Sequence, residues 1–268
     1  MSKIGKFFKA LKLIAGQPSL LNHVINDDAV WQKYVAKKYS FGNGLPVVEL
    51  RDLFGEFKAE VPVLAFLDGG SLPTDIALLM NLAEGIDNCR YFEIGTWRGE
   101  SVVNVARKAK HCTTFNLSDE EMRSMGMSEA YIGLTAFFSK EIKNITHIRG
   151  NSLKYDFSSF NTKYDLIFID GDHHYEMVKN DTKKVFGHLV HDDTVVVWHD
   201  YATNPETTRF EVFAGILDGL SPDLHQYLYH AGNTLTAIYT RKKYPTHKLQ
   251  NPTIPKHFFN VKLDWKDQ

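Results

Sequence analysis

Two segments constrain the fold more than anything else in the chain: "YDLIFID", Tyr164 to Asp170, and "DTVVVWHD", Asp193 to Asp200. Each is apolar at successive positions, so each predicts a strand buried on both faces. The residues between them, from about Tyr175 to His188, read as a helix. A helical crossover joining two fully apolar strands is the unit of a parallel sheet covered by helices. The same alternation runs upstream, with a helix near Thr74 to Gly85, a strand near Arg90 to Ile94 and a helix from Gly99 to Lys110. It continues with a strand in "CTTFNL", a helix from Ser128 to Glu141 and a strand in "ITHIRG". The ending differs. Pro205 to Leu220 reads as a helix, but "LHQYLYH" and "TLTAIYT" are separated only by "AGN", too short for a crossover, so they predict an antiparallel pair. The expected fold is therefore α/β: a Rossmann-like, seven-stranded, mostly parallel sheet with an antiparallel C-terminal strand pair and an N-terminal helical extension. The expected division is an extension over 1–70, a ligand-binding domain over 71–241 and a tail over 242–268.

Composition narrows the function classes. The chain has 268 residues, is 43% hydrophobic and carries a formal net charge of −1. It can bury a large core, and it has no basic excess to mark nucleic acid as a partner. Its only cysteines, Cys89 and Cys112, form no C-x-x-C pair, which excludes a disulfide framework and a cysteine zinc site and makes a reducing cytoplasm the expected location. No apolar run reaches the length of a membrane span. The opening "MSKIGKFFKALKLIAG" is not a signal peptide either, because a lysine every third residue interrupts its apolar positions. Instead Lys3, Lys6, Lys9 and Lys12 share one helical face and Ile4, Phe7, Phe8, Leu11 and Ile14 the other, with no acid before Asp27. Two readings of residues 1–16 stay open: a helix in peripheral contact with an anionic membrane face, or one packed on its own domain or on a homo-oligomer partner. Most amphipathic helices simply pack. A second helical stretch is expected from about Ser19 to Tyr39, broken by "SFGNGLP".

The loop "YFEIGTWRGES", Tyr91 to Ser101, follows the first strand of the main domain. Dinucleotide enzymes use G-x-G-x-x-G there, and the second glycine lets pyrophosphate approach the backbone. Trp97 occupies that place. An acid at the strand end, Glu93, beside a bulky side chain suits a ligand without phosphates, held through its hydroxyl and amino groups; S-adenosylmethionine is such a ligand. The segment resembles the class I S-adenosylmethionine-dependent methyltransferases, whose motif is (Glu/Asp)-x-Gly-x-Gly-x-Gly. Glu93, Gly95 and Gly99 match it, and the departure at Trp97 resembles the macrocin-type, bacterial sugar O-methyltransferase branch. The resemblance covers about Leu72 to Thr240. It implies that Glu93 and the loop residues Gly95, Thr96, Trp97 and Gly99, with Ser101 and Asp170, contact the cofactor. It also implies that Asn116 faces the ribose and that Asn151 and Ser152 lie on the adenine side. Asn116 stands where the family has an acid, and an amide holds a hydroxyl less strongly than a carboxylate by about 1 kcal/mol.

A second cluster is "IDGDHHYE" with "WHDY". Asp170 and Asp200 each close a strand, and adjacent strands lie about 4.8 Å apart. Two carboxylates so close repel unless something positive sits between them, and a divalent cation with His199 as third ligand would serve. The resemblance to metal-dependent O-methyltransferases implies magnesium, or manganese, at Asp170 and Asp200, with His199 where some relatives have a second acid. It also implies a general base at Asp172, to which His173 is an equally reachable alternative. Strand-end acids often only cap the next helix; five such groups at one edge favour a site. His188 and His191 read as solvated turn residues, and Tyr131, Phe137 and Phe138 as helical core before acceptor pocket.

The resulting expectation is an S-adenosylmethionine-dependent O-methyltransferase acting, with divalent-metal assistance, on a hydroxyl of a sugar, glycan or secondary metabolite. The partner is thus a small-molecule or glycan acceptor. Two other classes share the fold. An NAD-type oxidoreductase would need a glycine at Trp97 and an acid at Asn116; a non-catalytic methyltransferase-fold binding protein would tolerate Asn116.

Overall fold

The computed structural model describes residues 2–21, 28–66 and 70–266. Its centre is an eight-stranded sheet. The strands are β1 (Val47–Val48), β2 (Arg90–Ile94), β3 (His111–Asn116), β4 (Ile145–Arg149), β5 (Leu166–Ile169), β6 (Val195–Trp198), β9 (Leu228–Ala231) and β10 (Ala237–Tyr239), in the order β1-β9-β10-β6-β5-β2-β3-β4. A separate hairpin, β7 (Ala202–Asn204) with β8 (Thr207–Thr208), lies outside it. Strands β4, β3, β2, β5 and β6 run parallel, while β10 is antiparallel to both β6 and β9. Seven of the strands are those the sequence predicts. The eighth, β1, comes from the N-terminal segment and pairs in parallel with β9, while Val47 also bridges to His247 of the tail.

Strand alternation divides the core into two layers. Phe92, Ile94, Ile167, Ile169 and Trp198 face a layer built with helices α8 (Tyr175–His188) and α9 (Phe210–Gly219). Tyr91, Leu166, Phe168, Val197 and Ile238 face a second layer built with α4 (Pro73–Glu84) and α5 (Glu100–Val105). Both faces are therefore covered, which is why the strands read as continuous apolar runs.

The N-terminal extension contains α1 (Lys3–Gly16), a 3-10 turn (Pro18–Leu21), α2 (Asp28–Tyr39) and α3 (Leu50–Phe54). Of the expected helix from Ser19 to Tyr39, the described parts are the 3-10 turn ending at Leu21 and α2 from Asp28, and residues 22–27 lie outside the described residues. Helix α2 is fastened to the main layer at Asp218, which accepts hydrogen bonds from the hydroxyls of Tyr34, Tyr39 and Tyr175 and pairs with Lys38 at 2.8 Å. Trp31 stacks on Tyr175 at 4.6 Å. By contrast, α1 has no buried residue, and its described neighbour is the 3-10 turn that follows it. Among the described residues no helix is long and apolar enough to cross a membrane.

Three helices differ from expectation. The one read over Gly99 to Lys110 ends at Val105 and unwinds through i→i−3 bonds, such as Lys108 N–H to the Val105 carbonyl at 2.9 Å. The one read over Ser128 to Glu141 starts where expected but stops after little more than a turn as α7 (Glu129–Gly133), and a further short helix, α6 (Asp119–Ser124), precedes it. Its remainder bends at Ala136, φ +58°, because the Ala136 and Phe138 N–H groups donate to the Trp97 and Arg98 carbonyls of the glycine loop. The one read from Pro205 starts at Phe210, since Asn204 caps a tight turn through Glu206 N–H at 3.0 Å and the β-branched Thr207 and Thr208 pair back as β8.

Candidate functional site

Register places the acids. Ile94 of β2 lies opposite Ile169 of β5, and Ile169 opposite Trp198 of β6. The next residues along, at the carboxyl edge, are the β2 loop, Asp170, and His199 with Asp200. Such an edge is where open α/β sheets bind ligands.

Glu93 is fully buried one residue before the end of β2. Its Oε2 accepts from Tyr91 at 2.7 Å and Ser101 at 2.6 Å, and its Oε1 has no partner. Burial pushes its carboxyl up to about 8, with the Asp170 charge adding to the rise, against the hydrogen bonds from Ser101 and Tyr91. The loop then turns through two left-handed glycines, Gly95 at φ +90° and Gly99 at φ +89°. A Cβ at Gly95 would overlap the Asp170 carbonyl, and one at Gly99 would overlap the Ser139 side chain. Both glycines are thus demanded by chain packing as well as by φ; their neighbours are protein atoms. Trp97 stands between them at φ +36°, stacked on Tyr131 and under the Arg98 guanidinium at 4.6 Å.

Eight buried side-chain polar atoms among the described residues lack a hydrogen-bond partner, and four of them lie here: Glu93 Oε1, Thr96 Oγ1, Trp97 Nε1 and Arg98 Nε. Such an atom costs about 1–3 kcal/mol, so their concentration on one loop marks a place where a ligand would supply what the protein withholds.

Across the edge, Asp170, Asp172, His173, His199 and Asp200 line one cleft. His199 is buried, with Nδ1 at 3.1 Å from Asp170 Oδ1 and 3.7 Å from Asp200 Oδ1. Its Nε2 faces Asp75 Oδ2 at 3.4 Å. Burial alone would lower the His199 pKa; the Asp170 charge and the hydrogen bonds to Asp170, Asp200 and Asp75 outweigh it and hold the imidazole well above its usual value. Burial pushes Asp170 up, only partly offset by His199. Asp200, at φ +56°, goes the other way: burial opposes ionisation, but the hydrogen bond and charge of His199, then Arg209 and His173, hold it below the usual carboxylate range. One ligand atom each from Asp170, His199 and Asp200 lie within 4.8 Å of one another.

Asp172 spends Oδ1 on the backbone N–H of His174 at 2.7 Å and on its ring at 2.6 Å, the turn that opens α8. His173 stacks on His174 and points Nδ1 at Asp200 Oδ2, 3.9 Å away. Of the two base candidates, His173 is therefore the one facing the strand-end acids. Asn116 accepts from Thr96 N–H at 3.3 Å, bracing the glycine loop. Asn151 holds its own turn through Leu153 N–H at 2.9 Å, and the buried Ser152 bonds Asp181. His191 pairs with Asp165 at 2.9 Å near the start of β5. Tyr131 and Phe137 are exposed, 40% and 49%, and so are not the core residues their spacing suggests.

Two residues escaped the sequence reading. Asp75 sits in the first turn of α4, fully buried, accepting from Leu72 N–H at 2.6 Å and Leu235 N–H at 2.7 Å while facing His199. Its sequence signal is that of any first-turn helix acid. Arg209 reaches Asp200 at 3.3 Å from just before α9; nothing in "TTRFEV" marks it.

Residues 92–201 match the family described as a methyltransferase domain. No curated protein sequence matches the chain. Solved structures similar to it include an S-adenosylhomocysteine-bound methyltransferase of Podospora anserina, at 16% identity, covering 65% of this chain and 81% of that one, with a TM-score of 0.45. An O-methyltransferase from Bacillus cereus in complex with S-adenosylhomocysteine is also 16% identical, covering 63% and 82%, with a TM-score of 0.44. The O-methyltransferase TomG of Streptomyces achromogenes, in complex with S-adenosylmethionine, is 16% identical as well, covering 63% and 80%, at 0.42.

The raised Glu93 carboxyl has a measurable consequence. The folded chain holds that proton more tightly than the unfolded chain, so the stabilisation is complete below the ordinary value of 4.5 and is lost as pH rises through about 8. Denaturant unfolding across this window should show a fall of up to about 1.4 kcal/mol per pH unit that Glu93→Gln abolishes. Parallel pH profiles for the two proteins would assign the effect elsewhere.

Proposed function

We propose that the chain, which carries a methyltransferase domain over residues 92–201, transfers a methyl group from S-adenosylmethionine to a hydroxyl oxygen of a sugar, glycan or secondary metabolite. The observation that carries this reading is the set of unpartnered buried atoms on the β2 loop. They comprise a carboxyl oxygen, two N–H donors and a hydroxyl, the complement of an ammonium and a carboxylate on one amino-acid group. In this reading Glu93 accepts from the cofactor's ammonium, Trp97 and Arg98 donate to its carboxylate, and Thr96 serves either. S-adenosylmethionine would supply a methyl group on a positively charged sulfur.

The rest is positioning and proton handling. His173, half-exposed in the cleft and facing Asp200, takes the proton of the acceptor hydroxyl. Asp172 holds the His173–His174 turn in place through His174. The exposed rings of Tyr131 and Phe137 support a sugar or glycan acceptor, because aromatic faces stack on the apolar faces of such rings.

A divalent cation fits the same edge. Asp170, His199 and Asp200 would hold it, and Asp75 bonding the far nitrogen of His199 is the arrangement by which an outer carboxylate orients a ligating imidazole. The mixed oxygen and nitrogen set suits manganese better than magnesium. The ion would supply positive charge beside the acceptor oxygen.

Two measurements test this reading. Calorimetry should show S-adenosylhomocysteine binding and NAD not binding; NAD binding alone would make the chain an oxidoreductase, and neither binding a non-catalytic relative. Titration with Mn(II) followed by paramagnetic resonance should show one ion per chain, lost in Asp200→Asn while S-adenosylhomocysteine binds within about twofold of wild type (under about 0.5 kcal/mol). No uptake of the ion by the wild-type chain would leave the cluster as acid-base groups alone.

A further inference from the structure

Among the described residues, helix α1 buries no side chain against the rest of the chain. It spans 14 residues, about 21 Å at 1.5 Å per residue, is capped by Ser2 accepting from Gly5 N–H at 3.1 Å, and buries no residue. An isolated helix of this length is marginal in water, so it calls for a surface to lie on. Its apolar face is laid out for one: Ile4, Phe7, Phe8 and Leu11 are exposed by 47% to 69% and line a single stripe, with Phe7 and Phe8 in edge contact at 5.7 Å. Lys3, Lys6, Lys9 and Lys12 occupy the opposite arc, and no Asp or Glu precedes Asp27.

We propose that α1 docks on an anionic lipid bilayer, its apolar stripe sunk at the headgroup boundary and its lysines against the lipid charges. Charge complementarity selects this occupant over a second copy of the helix. Pairing two α1 helices would cover both apolar stripes but set the flanking Lys3 and Lys12 of one helix beside those of the other with no acid on either helix. A bilayer takes the apolar side chains and neutralises the lysines at once, and the long lysine stems reach along the helix toward the headgroups. The inference is independent of the reaction proposed above.

Co-sedimentation of the full chain with vesicles tests it. Equal parts phosphatidylglycerol and phosphatidylcholine should pellet the protein, and pure phosphatidylcholine should not. Raising salt from about 0.1 to about 1 M, which shortens screening from about 10 to about 3 Å, should release it. Each lysine replaced in the series Lys3→Ala, Lys6→Ala, Lys9→Ala and Lys12→Ala should weaken partitioning about fivefold, and Phe7→Asp with Phe8→Asp should abolish it. Because α1 buries no residue, these variants should melt and bind S-adenosylhomocysteine as wild type does. Equal pelleting with neutral vesicles, or wild-type pelleting by the four-lysine variant, would overturn the proposal. So would light scattering that finds a dimer which Phe7→Asp with Phe8→Asp dissociates, since the stripe would then be a contact between copies.

Discussion

A buried imidazole facing three carboxylates holds the carboxyl edge together. His199 touches Asp170 and Asp200 with one nitrogen and Asp75 with the other, and each of those acids belongs to a different structural piece. Asp170 ends β5, Asp200 follows β6, and Asp75 opens α4, where it also fastens the hairpin residue Leu235. Buried acids this close would repel and take up protons; a cation between them offsets the repulsion. A protonated His199 can fill that role, and a metal held through its Nδ1 would displace the proton. The arrangement costs desolvation, and removing His199 would leave Asp170 and Asp200 facing each other, with Arg209 offsetting Asp200 alone. It therefore works less as a source of stability than as a means of fixing where the acids point.

The sheet supplies the other half of that fixing. Because β2, β5 and β6 are parallel and in register, Asp170 and His199 follow directly on the paired Ile169 and Trp198, while Glu93, opposite Phe168, lies two residues back along β2. Glycine then does a packing task. Gly95 lets the loop pass over the Asp170 carbonyl, and Gly99 lets Ser139 close against the loop. The segment from Leu134 to Ser139 abandons helix and donates the Ala136 and Phe138 N–H groups to that loop. The loop is held on both sides by backbone, which is why it can keep four polar side-chain atoms unsatisfied.

Long periodic segments were legible in the sequence. The helix from Tyr175 to His188 and the strand from Arg90 to Ile94 fall where the periodicity places them, because both faces or one face of each meets a continuous core. Segments whose conformation is set by distant partners were not. The bend at Ala136 depends on carbonyls about forty residues earlier, at Trp97 and Arg98. The short β1 is a strand only because β9 lies beside it, and two residues carry no period. The exposure of Phe137 follows from that same lost helix, whereas Tyr131 stays helical in α7 with its ring against Trp97. At the edge, the strand-end acids could be named because strand ends are predictable, whereas Asp75 and Arg209 enter from elements whose approach no local pattern encodes. The glycines were singled out as places where a ligand approaches the backbone, whereas what demands them is positive φ and the protein atoms that crowd them.

In the proposed reading, ligand capture at this edge turns on Glu93, whose carboxyl burial pushes up to about 8 and which would meet the cofactor's positive group. Titration of the chain with S-adenosylhomocysteine near pH 7, in two buffers of different ionisation enthalpy, measures the protons exchanged on binding. With the Glu93 carboxyl at about 8, an ammonium placed beside it should drive its ionisation, so binding should release most of one proton per chain, and Glu93→Gln should release none. Binding with no proton released by the wild-type chain, or equal release by the wild type and the Glu93→Gln variant, would place the ligand's amino group elsewhere and contradict the account.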